Sequence, residues 1–156
     1  MRKFEVVRDD CRKHPGVEIQ LPHRATKGSM AYDFYSPAEY AVYMDHVVKI
    51  WTDVKAYMND GEVLLINIRS SMGSRWELTT EQGWIDGDYA DNPDNDGNIG
   101  VFLRNISDET QYIHKGDRIA QGMFVNFLTT DDDNATAQRI GGFGSTNGCN
   151  KKEAEN

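Results

Sequence analysis

The residues best suited to chemistry lie in one stretch, Gln82-Gly83-Trp84-Ile85-Asp86-Gly87-Asp88-Tyr89-Ala90-Asp91-Asn92-Pro93-Asp94-Asn95. Asp86 follows the strand-like pair Trp84-Ile85, and an acid beside apolar side chains can be held as a general base. Tyr89 offers a flat face for a ring-shaped substrate. Arg69-Ser70-Ser71 carries different chemistry: a planar guanidinium grips two phosphate oxygens at once, and the two hydroxyls can donate further hydrogen bonds. Near the C-terminus, Gly141, Gly142 and Gly144 let the backbone approach an anion closely and aim N–H groups at it. Ser145, Thr146 and Arg139 add donors there.

Such residues need elements to position them. Short apolar segments recur between turn signals: Phe4 to Val7, Val17 to Leu21, Val63 to Ile68, Ile99 to Leu103, Gln111 to His114 and Ile119 to Leu128 all read as strands. Asp60-Gly61, Asp96-Gly97, Ser107-Asp108 and Lys115-Gly116 punctuate them. Many short strands with polar turns predict an all-β barrel or sandwich. Val47, Ile50, Trp51, Val54, Tyr57 and Met58 fall at helical spacing, yet Val47-Val48 and Ile50 to Thr52 are β-formers. The expectation is a strand over His46 to Thr52 and then one helical turn over Lys55 to Met58. Residues 1–128 form the barrel domain, 129–138 an acidic linker, 139–148 a glycine-rich flap and 149–156 a tail without structure of its own.

The chain has 156 residues, 38% of them hydrophobic, enough for one domain with a core. A net charge of -8 argues against a nucleic-acid-binding surface. No run of apolar residues is long enough to span a membrane, and Met1-Arg2-Lys3-Phe4-Glu5 lacks the apolar stretch of a signal peptide. Cys11 and Cys149 read as reduced thiols. His14, His23, His46 and His114 are scattered and read as non-ligands.

Five short motifs now line up in order: Ala31-Tyr32-Asp33-Phe34, Arg69-Ser70-Ser71, Gly83-Trp84-Ile85-Asp86-Gly87-Asp88-Tyr89, Lys115-Gly116-Asp117-Arg118-Ile119-Ala120-Gln121, and Gly141-Gly142-Phe143-Gly144-Ser145-Thr146. In this order and spacing they resemble the motifs of the trimeric dUTPase family, over roughly residues 30 to 147. The segment after Tyr89 resembles bacteriophage members. The resemblance implies an all-β, distorted jelly-roll (β-clip, dUTPase-like) subunit with a flexible C-terminal arm, assembled as a homotrimer with shared active sites. It implies hydrolysis of dUTP to dUMP and pyrophosphate. That reaction keeps uracil out of DNA and supplies dUMP for thymidylate synthesis in the cytoplasm of a bacterial or phage-infected cell. By the same resemblance Asp86 activates the attacking water. Arg69, Ser70, Ser71 and Gln121 hold phosphates, and Gly83 and Ile85 present backbone groups to uracil. Tyr89 packs on the deoxyribose and rejects a 2′-hydroxyl. Phe143 stacks over the base, and Arg139, Gly144, Ser145 and Thr146 complete the flap. Mg2+ is carried mainly by the triphosphate, with Asp33 supporting it through water.

The chain departs from the family pattern at several places. Thr80 stands at a usual asparagine, Ala90-Asp91 replaces Arg-Gly, and an insertion-like Asn92 to Gly97 follows. Arg139 is four residues before Phe143 rather than five, and Asn147 replaces a glycine. Two other functions compete. A dCTP deaminase of the same fold would need a glutamate on the strand after the third motif, where Gly100-Val101-Phe102-Leu103-Arg104 has none. Its second arginine is also out of register, with Ser74 in its place and Arg75 one residue late. A nucleotide-sensing regulatory protein, binding a host regulator as phage relatives can, would be expected to have lost Asp86 or Phe143, and both are present.

Overall fold

The structure, a computed structural model, describes residues 1–79 and 83–142. Eleven strands run through the described residues: β1 (Lys3–Val6), β2 (Tyr32–Tyr35), β3 (Tyr40–Val42), β4 (Val47–Trp51), β5 (Val54–Tyr57), β6 (Glu62–Asn67), β7 (Trp76–Leu78), β8 (Trp84–Ile85), β9 (Gly100–Asn105), β10 (Gln111–Ile113) and β11 (Arg118–Asn126). Two single 3-10 turns, Asp9–Cys11 and Ser70–Met72, interrupt them. The strands form a four-stranded sheet in the order β2-β11-β6-β8, a three-stranded sheet β4-β9-β7, and the pairs β1-β5 and β10-β3. The all-β, jelly-roll expectation therefore holds.

Alternation along the strands builds the core. In β9, Val101 and Leu103 point inward and are fully buried, while Phe102 and Arg104 are partly exposed. Phe34 of β2, Ile50 of β4, Leu64 of β6 and Ile119 of β11 join them at zero or near-zero exposure. Burying each such side chain contributes roughly 1.5–3 kcal/mol.

Two expected elements differ. Val54–Tyr57 is a strand, not a helical turn. It pairs antiparallel with β1, from Val6↔Val54 to Lys3↔Tyr57. The run with helical spacing is two strands meeting at Thr52-Asp53, where Asp53 takes the left-handed φ of 55°. Pairing on β1 and burial of Val54 and Ala56 outweigh the helical periodicity. Val17 to Leu21 forms no strand. Pro22 removes a ladder donor at its end, and pairing begins only at the His23–Asp33 bridge.

The Asp53 turn also anchors the N-terminal segment. Its fully buried carboxylate accepts the backbone N–H groups of Lys13 and His14, both at 2.8 Å, and the amide of Asn98 at 2.9 Å. Cys11, close by, is a buried free thiol, and Cys149 lies outside the described residues.

Candidate active site

β6 is the spine of the site. On one side it pairs antiparallel with β11, with Gln121 opposite Asn67, and Gln121 is also opposite Asp33 of β2. This double register places Asp33, Gln121 and the residues just beyond β6 side by side. Gln121 Nε2 donates to the Ile68 carbonyl at 3.0 Å. Arg69 Nε lies 3.1 Å from one oxygen of the buried Asp33, and Arg118 Nη1 donates to the other at 3.4 Å. Asp33, Arg69, Ser70 and Gln121 line a cleft of about 230 Å³. Ser71 and Arg69 also line a neighbouring cleft of about 290 Å³ with Arg75 and Arg118.

Ser70 and Ser71 are exposed because they open the 3-10 turn, which the buried Met72 pins to the core. The first, second and fourth motifs thus meet. The result is a cationic cleft whose arginines are held by a buried carboxylate, with hydroxyls free to reach an anion.

On its other side β6 pairs with β8, Leu64 opposite Ile85 and Leu65 opposite Trp84. The Ile66 N–H donates to the Gly83 carbonyl at 2.7 Å and continues the ladder. Antiparallel pairing sends Asp86 past Val63, toward the end of β6 that lies away from Arg69. From Val63 to Arg69 is about 20 Å at the usual rise per strand residue. Within one chain, then, the Arg69 cluster and Asp86 do not share a cleft.

Asp86 stands just past β8 and is exposed, and Trp84 beside it is 62% exposed. The apolar setting expected for this acid is not what the described residues supply. A short strand edge ends there, and its surroundings are charged. Asp86, Asp88, Glu62 and Arg139 line a cleft of about 450 Å³ with Met58, Asn59 and Phe127. Arg139 binds Asp86, and its Nε donates to Asp88 at 2.8 Å. Burial pulls the Arg139 pKa down, but the hydrogen bond and charge of Asp88, with Asp86, hold it above the ordinary value. Arg139, expected at an outer phosphate, sits here on two carboxylates, with its guanidinium 5.7 Å from the Tyr89 ring centre.

Tyr89 is only 4% exposed. Its hydroxyl donates to the Asn98 carbonyl at 3.0 Å and accepts from Asn95 Nδ2 at 2.8 Å. Burial pushes its pKa up to about 12, against the Asn95 hydrogen bond and Arg139, so the phenol stays protonated at neutral pH.

What the sequence did not reveal is the order in the loop after Tyr89. Asn92, Asn95, Asp96 and Asn98 are all buried. Asn92 Oδ1 caps the N–H groups of Asp94 and Asn95, at 3.0 and 3.1 Å, and its amide donates to the Tyr89 carbonyl at 2.8 Å. Gly97 takes φ 81°, and a Cβ there would meet Ala90 Cα at 2.7 Å, so only glycine fits. Lys55, buried beneath the loop, donates to Asp91 at 2.6 Å and to Asp96 at 3.1 Å. Burial lowers its pKa, but these bonds more than compensate and raise it. The density of Asn and Asp was the available signal, since such side chains commonly bond local backbone.

Phe143, Gly144, Ser145 and Thr146, expected in the flap, lie outside the described residues, as do Thr80 and Asn147.

The family model described as dUTPase matches residues 17–147. The chain is 39% identical over 150 residues to the deoxyuridine 5'-triphosphate nucleotidohydrolase of Lactococcus lactis, covering 94% of this chain and 97% of that protein. It is 34% identical over 131 residues to the mitochondrial enzyme of that name from Dictyostelium discoideum, covering 81% and 70%. The fold is similar to the crystal structure of dUTPase from Streptococcus mutans, with a TM-score of 0.70 and 35% identity over 82% of this chain and 98% of that one. It is also similar in fold to a phage phi11 dUTPase mutant described with a structural Mg(II) ion, at TM-score 0.67 and 20% identity, covering 88% and 97%.

Proposed function

The chain belongs to the dUTPase family, and from that premise we propose that it hydrolyses dUTP to dUMP and pyrophosphate at sites completed between copies of the chain. The observation that carries the shared site is the separation along β6. Arg69, Ser70 and Gln121 cluster beyond one end, and Asp86 stands near the other, about 20 Å away by strand rise. A base must come within hydrogen-bond reach of its water, and phosphate donors must touch the same triphosphate. One copy cannot do both, whereas two copies can, and the family resemblance makes the assembly a trimer.

In this mechanism Asp86 takes a proton from water as its oxygen bonds to the α-phosphorus. The bond from that phosphorus to the bridging oxygen breaks, and pyrophosphate departs. Arg69, Ser70, Ser71 and Gln121 of another copy hold the phosphates. Asn95 and Asn98 lock the Tyr89 phenol, so that its ring is a fixed wall for the sugar and leaves no space for a 2′-hydroxyl. The backbone of Gly83 and Ile85 reads the uracil edge. Phe143, Gly144, Ser145 and Thr146 close over the nucleotide, and phosphate oxygens compete with Asp86 and Asp88 for Arg139.

Among the described residues no three carboxylate, histidine or cysteine side chains converge on a point, and both Asp33 oxygens face arginines. That donor set fits Mg2+ carried by the triphosphate, with Asp33 accepting hydrogen bonds from its waters. The ion, when bound, neutralises phosphate charge. The deaminase alternative is not favoured, since β9 carries Val101, Phe102, Leu103 and Arg104 and no glutamate.

The test is pyrophosphate release, with magnesium, from dUTP, dCTP, dTTP and UTP in parallel. Turnover of dUTP alone to dUMP is expected. Ammonia release from dCTP would replace the proposal with deamination.

A further inference from the structure

We propose that the Asn92–Gly97 loop is the seat on which the C-terminal arm docks, with Asp94 and Asn95 as positioning residues that tie the arm to Tyr89. Most of the segment from Phe127 to Ile140 is exposed, yet Gly141 and Gly142 are buried. Gly142 is buried against this loop. The Gly142 N–H donates to Asp94 Oδ2 at 3.2 Å. A Cβ on Gly142 would lie 2.7 Å from that oxygen and 3.0 Å from Asn95 Nδ2, so an alanine there would push the exposed Asp94 carboxylate aside and break its bond to the arm.

The seat is rigid on its far side. Asn95 Oδ1 accepts from Asn92 Nδ2 at 2.7 Å and from the Gly97 N–H at 3.1 Å, while its amide donates to the Tyr89 hydroxyl. Both ends of one buried carboxamide are therefore committed. One face of it fixes the tyrosine and the other meets the arm glycine. Three residues earlier, Arg139 fastens the arm to Asp86 and Asp88. The arm thus touches the third motif through charge and the loop that follows it through shape. Arm and seat belong to the same copy of the chain.

The docking stands on geometry alone. Its effect on turnover rests on the dUTPase proposal, in which an arm out of register would close poorly over the nucleotide. The two are separated by trypsin cleavage after Arg139, followed by mass spectrometry as release of the fragment that begins at Ile140, whether or not it is also cut after Lys151 or Lys152. The comparison includes the full-length wild type and its Asp94→Ala, Asp94→Asn and Gly142→Ala variants.

Asp94→Ala and Gly142→Ala are expected to release the fragment severalfold faster at an unchanged thermal midpoint. Asp94→Asn, which keeps an acceptor oxygen, should behave as the wild type. In dUTP hydrolysis the two alanine variants should raise KM severalfold more than they lower kcat. Equal fragment release in all four proteins would overturn the seat. Faster release in a protein that does not hydrolyse dUTP would leave the seat standing and remove the dUTPase proposal.

Discussion

The two ends of β6 are built in opposite ways. Beyond Asn67 the functional groups are held by backbone pairing: Asp33, Gln121 and the start of the Arg69 turn fall together because three strands share a register. There a buried carboxylate already balances two arginines. Near Glu62 the ladder continues on the β11 side but on the other side offers only the two-residue β8, and the residues after β8 are held by side chains, Asn92 on backbone groups and Lys55 on Asp91 and Asp96. A ladder places groups to within its own repeat and suits a fixed anion cradle. A turn supported by buried amides leaves its acid exposed at the surface, where a partner can complete it.

If the two ends serve one reaction, breaking either should stop it and mixing should restore it. Asp86→Asn should lower kcat by about 10² to 10⁴-fold, as expected for loss of a general base, while a non-hydrolysable dUTP analogue still binds by calorimetry. Normal turnover would remove Asp86 from the mechanism. Arg69→Ala should also be inactive. Copies of the two variants, co-refolded in equal amounts, should recover about a quarter of wild-type activity, because some shared sites then combine intact halves. No recovery would place both ends in one chain's site and contradict the separation along β6.

Smaller effects probe the supports. Asn98→Ala leaves the Asp53 N–H and the Cys11 carbonyl without their buried partner, and should cost about 1–3 kcal/mol in urea unfolding. An unchanged midpoint would mean that the loop contributes no stability. Smallest is a pH effect at the Asp86 end. The Arg2 hydrogen bonds, helped by Asn59, hold Glu62 at about 2, against burial and below its ordinary 4.5. Its folded pKa is depressed, so its contribution is complete above pH 4.5 and fades as the pH falls toward 2. Glu62→Gln should flatten that part of the stability profile, and an identical slope would assign the acid sensitivity elsewhere.

Much of this was legible in the sequence. Short apolar segments between turn signals, and the β-formers around Ile50, marked β1, β4, β6, β9, β10 and β11, and the first, second and fourth motifs meet at the Arg69 end. Val54–Tyr57 was misread because two strands joined by a tight turn can imitate a helical repeat, and only the pairing with β1 decides between them. That Arg69 and Asp86 serve different sites of one chain followed only from the resemblance to a shared-site family, since the residues themselves do not record which strands flank β6. The Asn92–Gly97 loop looked like an insertion because composition does not record which amide bonds to which carbonyl.

Trp84 faces solvent on β8, two residues before Asp86, while Trp76 is buried and Trp51 lies under the Lys49 ammonium at 3.8 Å. Of the three tryptophans in the chain, then, one is an optical probe of the Asp86 end of β6. Its emission should be red-shifted and open to quenching by iodide in an isolated subunit. A blue shift with loss of quenching would report, without any label, the arrival of a nucleotide or of the neighbouring copy.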